Sequence, residues 1–334
     1  MHFSALRSNT NSIVTIIERQ PAPEMPRRRR KRQAQSPMRY IHEQYPFVYS
    51  HHSTANERHP KRNEDSTLRD DMTGLFAVFD GVGGSSAGEI AAQTAVQAAT
   101  HTWRYMVRQH QKRRNGYTML EDCETYDICS MLERLILEAD DKVRTDGAQR
   151  AGTDDLATTV ALAAFCKQPG TNQYTMVSAH VGDSRIYLLP EQGHLQRLTS
   201  DDGFLTKLIE NEIINEEHAL HIDQAMRVDE LTDIEYRYFR LRGGITQALG
   251  GPTSPTVHIN KTMIKPADRI LLCTDGIHDN LTDEEIESIL RNNPRTSVAR
   301  VLVDHSRQRS HEDCTRTIRA KPDDMSAIVL TCRF

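Results

Sequence analysis

The chain has 334 residues, of which 37% are hydrophobic and 26% are charged, and its formal net charge is −4. This composition is typical of a globular protein with enough apolar residues for a sizeable core. The excess of acidic residues argues against extensive nucleic-acid binding. No apolar run approaches the ~18–20 residues that cross a bilayer, and the first twenty residues lack signal-peptide features. We therefore expect a cytoplasmic protein with no membrane span.

Residues 1–38 are predicted to be a disordered basic tail. The segment contains six consecutive basic residues, 27–32, in a proline-rich context that cannot bury a core. Such a run occurs in nuclear-import signals and in contacts with acidic surfaces. The alternative is a solvated, mobile segment without a specific role.

The first half of the remaining chain, 39–334, has the pattern of a mixed α/β domain. A strand at 73–79 leads through Asp80 and a glycine-rich turn into a long helix whose small residues share one face. On that helix Trp103 and Tyr105 are expected to anchor the core or a helix interface. A second helix is predicted at about 125–146. Three strands follow at about 156–166, 173–182 and 184–189. The last two are expected to pair antiparallel across a tight Gly-Asp corner.

The second half alternates helical and strand patterns. Residues 200–242 are charged and poor in strand formers, which predicts a helical flap. Thr282 and Glu285 have the spacing of a capping box at the start of a helix. The other predicted elements are a strand at 269–274, helices at 282–291 and 297–307, and a last strand at 325–332. Strand-rich blocks separated by paired helices predict an α/β fold of the α+β type, with largely antiparallel sheets covered by helices.

Acidic residues mark the ends of several predicted strands. They are Glu64-Asp65, Asp80, Asp183, Asp275 and Asp323-Asp324. A carboxylate beside a buried strand is costly to desolvate unless it is paired or binds a cation. Several such groups at one sheet edge would suit a hard divalent metal. For each aspartate alone, a turn or helix-cap role is the alternative.

Eight segments, in order along the chain, resemble the metal-dependent protein phosphatase 2C family of serine/threonine phosphatases, in its compact bacterial branch. They are KRNEDS (61–66), FAVFDGVGG (76–84), DDLATTVALAAF (154–165), VSAHVGDSRIYLL (177–189), LQRLTSDDG (195–203), ITQALGG (245–251), DRILLCTDGIHDNLTDEEI (268–286) and KPDDMSAIVL (321–330). The similarity spans about residues 55–332. It implies a central sandwich of two mainly antiparallel sheets flanked by helices on both sides, with a protruding flap at about 200–242.

The resemblance also implies a centre of two Mn²⁺ or Mg²⁺ ions, with a third ion in some members. Asp80 matches the bridging aspartate and the Gly81 carbonyl a ligand of the second ion, while Asp275 and Asp324 match the other ligands of the first. In such a centre a hydroxide between the ions attacks the phosphorus of phosphoserine or phosphothreonine in a protein. Asp80, Asp275 and Asp324 are therefore the expected catalytic residues, and we expect a monomer.

Three further acidic residues match family positions around these ions. Glu64 and Asp65 match the acidic pair near the second ion. Asp183 matches the aspartate that, with Asp275, helps to hold the third, weaker ion. We expect all of them to be metal ligands, directly or through water.

Three positions depart from the family pattern. Pro60 replaces the arginine that grips the substrate phosphate in many members, and Arg62 is the favoured substitute over Lys61 and Arg58. Val82 replaces a histidine that is proposed to protonate the leaving group in some members, and valine cannot do so. The third departure is Asp201-Asp202-Gly203 in place of Asp-His-Ser. Pro60 and Asp202-Gly203 leave open a pseudophosphatase that binds a partner. Another alternative, which the basic run 27–32 leaves open, is a different two-metal phosphoesterase acting on nucleotides or nucleic acid.

Overall fold

Eleven strands form two antiparallel sheets in the described part of this computed structural model, which comprises residues 46–83, 87–114, 125–168, 171, 173–313 and 315–334. The strands are β1 Phe47–Thr54, β2 Asp65–Asp70, β3 Leu75–Gly83, β4 Leu156–Thr158, β5 Val160–Lys167, β6 Tyr174–Val181, β7 Arg185–Leu189, β8 Gln196–Arg197, β9 His258–Ile264, β10 Arg269–Cys273 and β11 Met325–Cys332. One sheet has the order β1-β11-β10-β7-β8, and the other has β2-β3-β5-β6-β9 with β4 paired to β3. The predicted tail, 1–38, lies outside the described residues.

Helices cover the outer faces of both sheets and build the flap. They are α1 Ala87–Arg114, α2 Thr125–Lys142 with a π-helical turn at Val143–Gly147, α3 Ala148–Ala151, α4 Phe204–Glu210, α5 Glu216–Gln224, a 3₁₀ turn at Val228–Glu230, α6 Asp233–Leu241, α7 Asp275–His278, α8 Asp283–Asn292 and α9 Val298–Ser310. Thr282 and Glu285 form the predicted capping box at the start of α8. None of the described helices is both long and apolar enough to cross a membrane.

Alternating side chains on β3 explain the layered packing. Phe76 and Val78 point into the core between the two sheets, whereas Leu75, Ala77 and Phe79 join the core under α1 and α2. A third core lies between the other sheet and α8 and α9. Since each fully buried large apolar side chain contributes about 1.5–3 kcal/mol, these cores fix the positions of the strand ends. The predicted sandwich of two mainly antiparallel sheets with helices on both sides is confirmed.

The small residues of α1 let this helix approach β3 closely. Ala91, Ala95 and Ala99 are fully buried, and Trp103 donates a hydrogen bond from Nε1 to the Thr73 hydroxyl at 2.8 Å. Both features agree with the prediction. Tyr105 was expected to be an anchor as well, but its side chain is 50% exposed. That prediction is wrong, because Tyr105 is two residues beyond Trp103 and helical geometry turns it away from the sheet.

The predicted pairing of the strands on either side of Gly182-Asp183 is also wrong. β6 pairs with β5 and β9 in one sheet, whereas β7 pairs with β10 and β8 in the other. Gly182 has a φ of +97°, a conformation that favours glycine, and a Cβ there would overlap the Thr159 side chain. The corner therefore carries the chain from one sheet to the other and leaves Asp183 at the end of the sandwich.

The flap, residues 200–242, is helical as predicted and has its own small core around Ile222 and Phe239. Buried ion pairs attach it to the sheets. Arg185 of β7 is bound to Asp201 at 2.6 Å and to Asp223 of α5 at 3.1 Å. The flap is therefore a docked subdomain, and its carboxylates neutralise a buried arginine of the sheet.

Candidate metal centre

The structure brings Asp65 and Asp80 together, because they are direct partners in the β2–β3 register. Asp65 is 6% exposed, and its Oδ2 accepts a hydrogen bond from the Thr274 hydroxyl of the other sheet at 2.7 Å. Its Oδ1 is buried with no hydrogen-bond partner among the described residues. Burial, and then the neighbouring Asp324 and Asp323 carboxylates, raise the pKa of Asp65 well above its ordinary value.

Asp80 is the group on which the other carboxylates converge. Burial first, and then repulsion from aspartates of other segments, raise its pKa well above the ordinary value. These neighbours are Asp275, Asp65, Asp323 and Asp183. The Asp80 carbonyl accepts bonds from Thr159 N at 2.8 Å and the Thr158 hydroxyl at 2.9 Å, which fixes the backbone at this point. Four separate segments thus bring negative charge into the neighbourhood of Asp80.

Two glycines allow the close backbone approaches around this point. A Cβ on Gly81 would overlap the carbonyl oxygen of Gly88 at the start of α1, and a Cβ on Gly276 would overlap the carbonyl oxygen of Asp324. Gly81 N also donates to the Glu64 carbonyl at 3.1 Å. The glycines that follow Asp80 and Asp275 therefore let the strand ends pack against one another.

Asp323 and Asp324 have different environments. Asp324 is 3% exposed, and its Oδ1 and Oδ2 accept backbone hydrogen bonds from Asn56 N at 2.5 Å and Glu64 N at 2.6 Å. Asp323 faces the other carboxylates, and burial together with Asp275 raises its pKa to about 7. The resemblance assigned the ligand role to Asp324, but its carboxylate binds backbone amides of the β1–β2 loop. Asp323 instead contacts Lys321, which also contacts Asp275.

A lysine that sequence reasoning missed lies among these carboxylates. Lys321 Nζ contacts Oδ2 of Asp275 at 2.5 Å, Oδ2 of Asp279 at 2.7 Å and Oδ2 of Asp323 at 3.1 Å. Burial acts to lower the pKa of Lys321, but the three aspartates outweigh this effect and hold the pKa well above its ordinary value. The KPDD sequence was the available signal, since a lysine two residues before a candidate ligand can reach the same site.

Asp183 lies at the flap side of the centre. Burial, and then Asp275, raise its pKa well above the ordinary value. Asp202, the second residue of the departure from Asp-His-Ser, accepts a bond from Gly182 N at 2.9 Å and contacts His258 Nε2 at 2.9 Å. This explains the substitution structurally, because the Asp202 carboxylate anchors the corner that carries Asp183.

Glu64 and Arg62 lie beside each other at the edge of the centre. Arg62 Nη2 is 3.3 Å from Glu64 Oε1, and both side chains are partly exposed. Burial raises the pKa of Glu64, while Arg62 acts in the opposite direction. Val82 is 39% exposed and offers no proton donor. Arg62 is thus the arginine adjacent to the acidic pair, as its sequence position suggested.

These residues fit a pair of hard divalent cations. The donor set consists of oxygens, and Asp65 Oδ1 is buried without a hydrogen-bond partner among the described residues. Glu64 Oε1 is held by its ion pair with Arg62. No group of three or more His, Cys, Asp or Glu side chains is already arranged around one point in the described ranges. Several carboxylate oxygens are instead bound to Lys321 or to backbone amides, so ion binding requires side-chain rearrangement.

Fold and site together define a two-sheet sandwich protein with an oxygen-rich acidic centre at the ends of both sheets. A family model described as protein phosphatase 2C matches residues 54–316. The chain belongs to the protein phosphatase 2C family. The matched range stops before Asp323, so the choice between Asp323 and Asp324 as a candidate metal ligand depends on the structure alone.

Named relatives agree with this assignment. The chain is 29% identical over 237 residues to the serine/threonine protein phosphatase PstP of Mycobacterium tuberculosis, covering 69% of this chain and 36% of the relative. It is 26% identical over 218 residues to the serine/threonine phosphatase stp of Listeria monocytogenes, covering 65% of this chain and 71% of the relative. The chain therefore spans about a third of the length of the mycobacterial protein.

A solved structure of the PstP catalytic domain has the same fold. It aligns with a TM-score of 0.59 and 23% identity, covering 86% of this chain and 99% of that one. That structure is described as a complex with two manganese ions. At this level of identity the similarity establishes the common fold.

Proposed function

We propose that this chain hydrolyses phosphoserine and phosphothreonine in proteins, using two divalent cations, Mn²⁺ or Mg²⁺. The acidic cluster at the strand ends carries this proposal, because Asp65 is paired with Asp80 in the β2–β3 register, and Lys321 contacts both Asp275 and Asp323. Like charges gathered in a buried place are costly unless a cation neutralises them. The family membership and the manganese in a structure of the same fold support the choice of reaction and metal.

The proposed ligands are Asp80, the Gly81 carbonyl, Asp275 and Asp323, with Glu64 and Asp65 near the second ion. Asp323 takes the place given to Asp324 by sequence comparison, because the Asp324 oxygens bind two backbone amides. Asp324 is instead a positioning residue for the loop that carries Glu64 and Arg62.

The ions, when bound, would supply an activated water and neutralise charge on the phosphoryl oxygens. The protein supplies the orientation of the substrate. Arg62 can offer a guanidinium to the phosphate from the edge of the centre, since it already pairs with Glu64 at 3.3 Å. Val82 cannot protonate the leaving serine or threonine oxygen, so a water held at the centre would have to supply that proton.

A cavity of about 380 Å³ between the flap and the centre offers room for a substrate segment. Its lining includes Asp183 and Asp279 on the side of the centre, and Arg197, Leu220 and Arg242 elsewhere. The relatives that this chain matches are named serine/threonine phosphatases, one of them a protein phosphatase. We therefore favour protein substrates over nucleotides.

The decisive variant is Asp80→Asn in the full-length chain. Replacing one carboxylate of the centre should lower kcat on a phosphothreonine peptide in Mn²⁺ by more than about 100-fold, while the circular dichroism spectrum stays unchanged. Wild-type activity should disappear in excess chelator and return with Mn²⁺.

Asp304→Asn is the matched control, because Asp304 lies on α9 and pairs with Arg300 on the exposed surface. It should leave the rate unchanged. Turnover by the wild type in excess chelator would refute the metal mechanism, and a higher rate on a nucleotide than on the phosphopeptide would refute the substrate class. A metal-loaded wild type without any turnover would instead favour the partner-binding alternative.

A further inference from the structure

Hydrogen bonds to Asn280 fix the backbone of Lys321 next to the proposed centre. Its backbone N donates to Asn280 Oδ1 at 3.0 Å, and its carbonyl accepts from Asn280 Nδ2 at 2.9 Å. Asn280 is fully buried and also donates to the Gly276 carbonyl. The buried amide of Asn280 therefore fixes the Lys321 backbone relative to the segment that carries Asp275.

The Lys321 ammonium is surrounded by carboxylates, with hydrogen bonds to Asp275 and Asp279 and an ion pair with Asp323. An ammonium group has three N–H bonds and no acceptor, and three aspartate oxygens lie within 3.1 Å of Nζ, from Asp275, Asp279 and Asp323. The Lys321 side chain is 38% exposed, and its ammonium group is the cation of the acidic cluster.

Arg242 is a second cation beside the Asp279 carboxylate that Lys321 contacts. Arg242, at the end of the flap, lies 3.3 Å from Asp279 Oδ1 and donates to the Asp279 carbonyl at 3.2 Å. The neighbouring Gly243 also borders both Asp279 and Lys321 Nζ. A divalent ion arriving on this side would meet two positive groups that already neutralise Asp279.

We propose that the Lys321 ammonium takes the place of a third divalent cation beside Asp183, Asp275 and Asp279, so that the centre holds two ions. This inference rests on the proposed metal-dependent function. Lys321 binds through Oδ2 of Asp275 and leaves Oδ1 of that carboxylate for an ion of the pair. It is a positioning residue that sets the number of ions.

The test counts Mn²⁺ ions bound per full-length chain at saturation, by equilibrium dialysis and metal analysis. The wild type should bind about two ions, and Lys321→Met should bind about three, because a neutral side chain frees oxygen ligands for a hard cation. Lys321→Arg keeps the charge and should stay at two. Lys142→Met removes a lysine paired with Asp146 on α2 and should also stay at two.

The added ion should depend on Asp183, so the double variant Lys321→Met with Asp183→Asn should return to two. If Lys321→Met fails to fold, Lys321→Gln carries the same expectation. Equal ion counts in the wild type and the neutral variants would overturn the role of Lys321, as would three ions in the wild type or in Lys321→Arg. A wild type that binds no Mn²⁺ would overturn the proposed function as well, which distinguishes the two failures.

Discussion

Asp323 and Asp324 illustrate how neighbouring carboxylates acquire different roles. The Asp324 side chain points towards the backbone amides of Asn56 and Glu64, where a carboxylate makes two charge-assisted hydrogen bonds. The Asp323 side chain points towards Asp275 and Lys321. Asp324 therefore stabilises a loop, whereas Asp323 is available to a cation.

The same substitution at both positions separates these roles. Asp323→Asn should weaken Mn²⁺ binding by about 10- to 100-fold, because the variant loses a carboxylate that faces the ions. Asp324→Asn should change Mn²⁺ affinity much less, but it should lower the free energy of unfolding by about 1–3 kcal/mol. An asparagine amide has one acceptor oxygen, so its NH₂ group cannot accept the second backbone N–H bond.

Titration calorimetry with Mn²⁺ and urea unfolding of the metal-free variants measure the two effects. The reverse pattern, with metal affinity lost in Asp324→Asn and retained in Asp323→Asn, would restore the assignment made from the sequence.

The sequence analysis chose Asp324 within the Asp323-Asp324 pair, whereas the contacts in the structure favour Asp323 as the proposed ligand. Pattern and spacing place both residues at the start of one strand, whereas the direction of each side chain depends on β1 and the loop after it. Lys321 was missed for a similar reason, since its partners Asp275 and Asp279 lie more than forty positions away. Asp202 became interpretable only once His258 and Gly182 were seen beside it.

Among the elements, the flap is attached by an unusual buried arrangement. Arg185 is 2% exposed and binds two flap aspartates, Asp201 and Asp223. Burial alone would raise the pKa of Asp223, but Arg185 and Arg197 outweigh it and hold the pKa well below the ordinary value. The flap and β7 therefore depend on each other for charge balance.

Asp223→Ala should lower the free energy of unfolding by about 3 kcal/mol near neutral pH, because Arg185 loses one of its buried partners. A depressed folded-state pKa stabilises the protein above the ordinary aspartate pKa of about 3.9, and this contribution is lost as the pH falls below it. The difference between the wild type and the variant should thus be full above about pH 5 and shrink in more acidic solution.

Urea unfolding between neutral and acidic pH measures this difference. Asp229→Ala is the control within the same flap, because Asp229 pairs with Arg227 on the exposed surface, and its stability should match the wild type. A pH-independent difference for Asp223→Ala would contradict the role assigned to the ion pair.

Elements with strong patterns were predictable, and edge or polar strands were not. The long helix α1, the capped helix α8 and the apolar strand β11 follow from periodicity and capping residues. β1, β2 and β9 were not predicted. The strands DSTLRD and HINKTMI have few adjacent apolar residues, and FVYSHHST is polar in its second half. All three strands pair with a more apolar neighbour, namely β11, β3 and β6. The β6–β7 corner was misassigned, since two consecutive strands usually pair and nothing local marks a change of sheet.

At the scale of the whole molecule, the proposed centre bridges the two sheets. Asp65 and Asp80 belong to one sheet, whereas Asp275 and Asp323 flank β10 and β11 of the other. Without cations, the Thr274–Asp65 hydrogen bond is one of the contacts that join the sheets at this end. Bound ions would add a cross-link between the sheets and reduce repulsion among the carboxylates.

Mn²⁺ should therefore stabilise the folded chain. At a free Mn²⁺ concentration of about 100 times the Kd, one site adds about 2.7 kcal/mol to the free energy of unfolding. For a folded unit that spans residues 45–334, this corresponds to a rise in Tm of roughly 4–5 °C. Differential scanning calorimetry in Mn²⁺ and in chelator measures the shift, with the Kd taken from titration calorimetry. Asp80→Asn should show a much smaller shift, whereas Asp304→Asn should respond like the wild type. An equal Tm with and without saturating Mn²⁺ would mean that the ions do not join the two sheets.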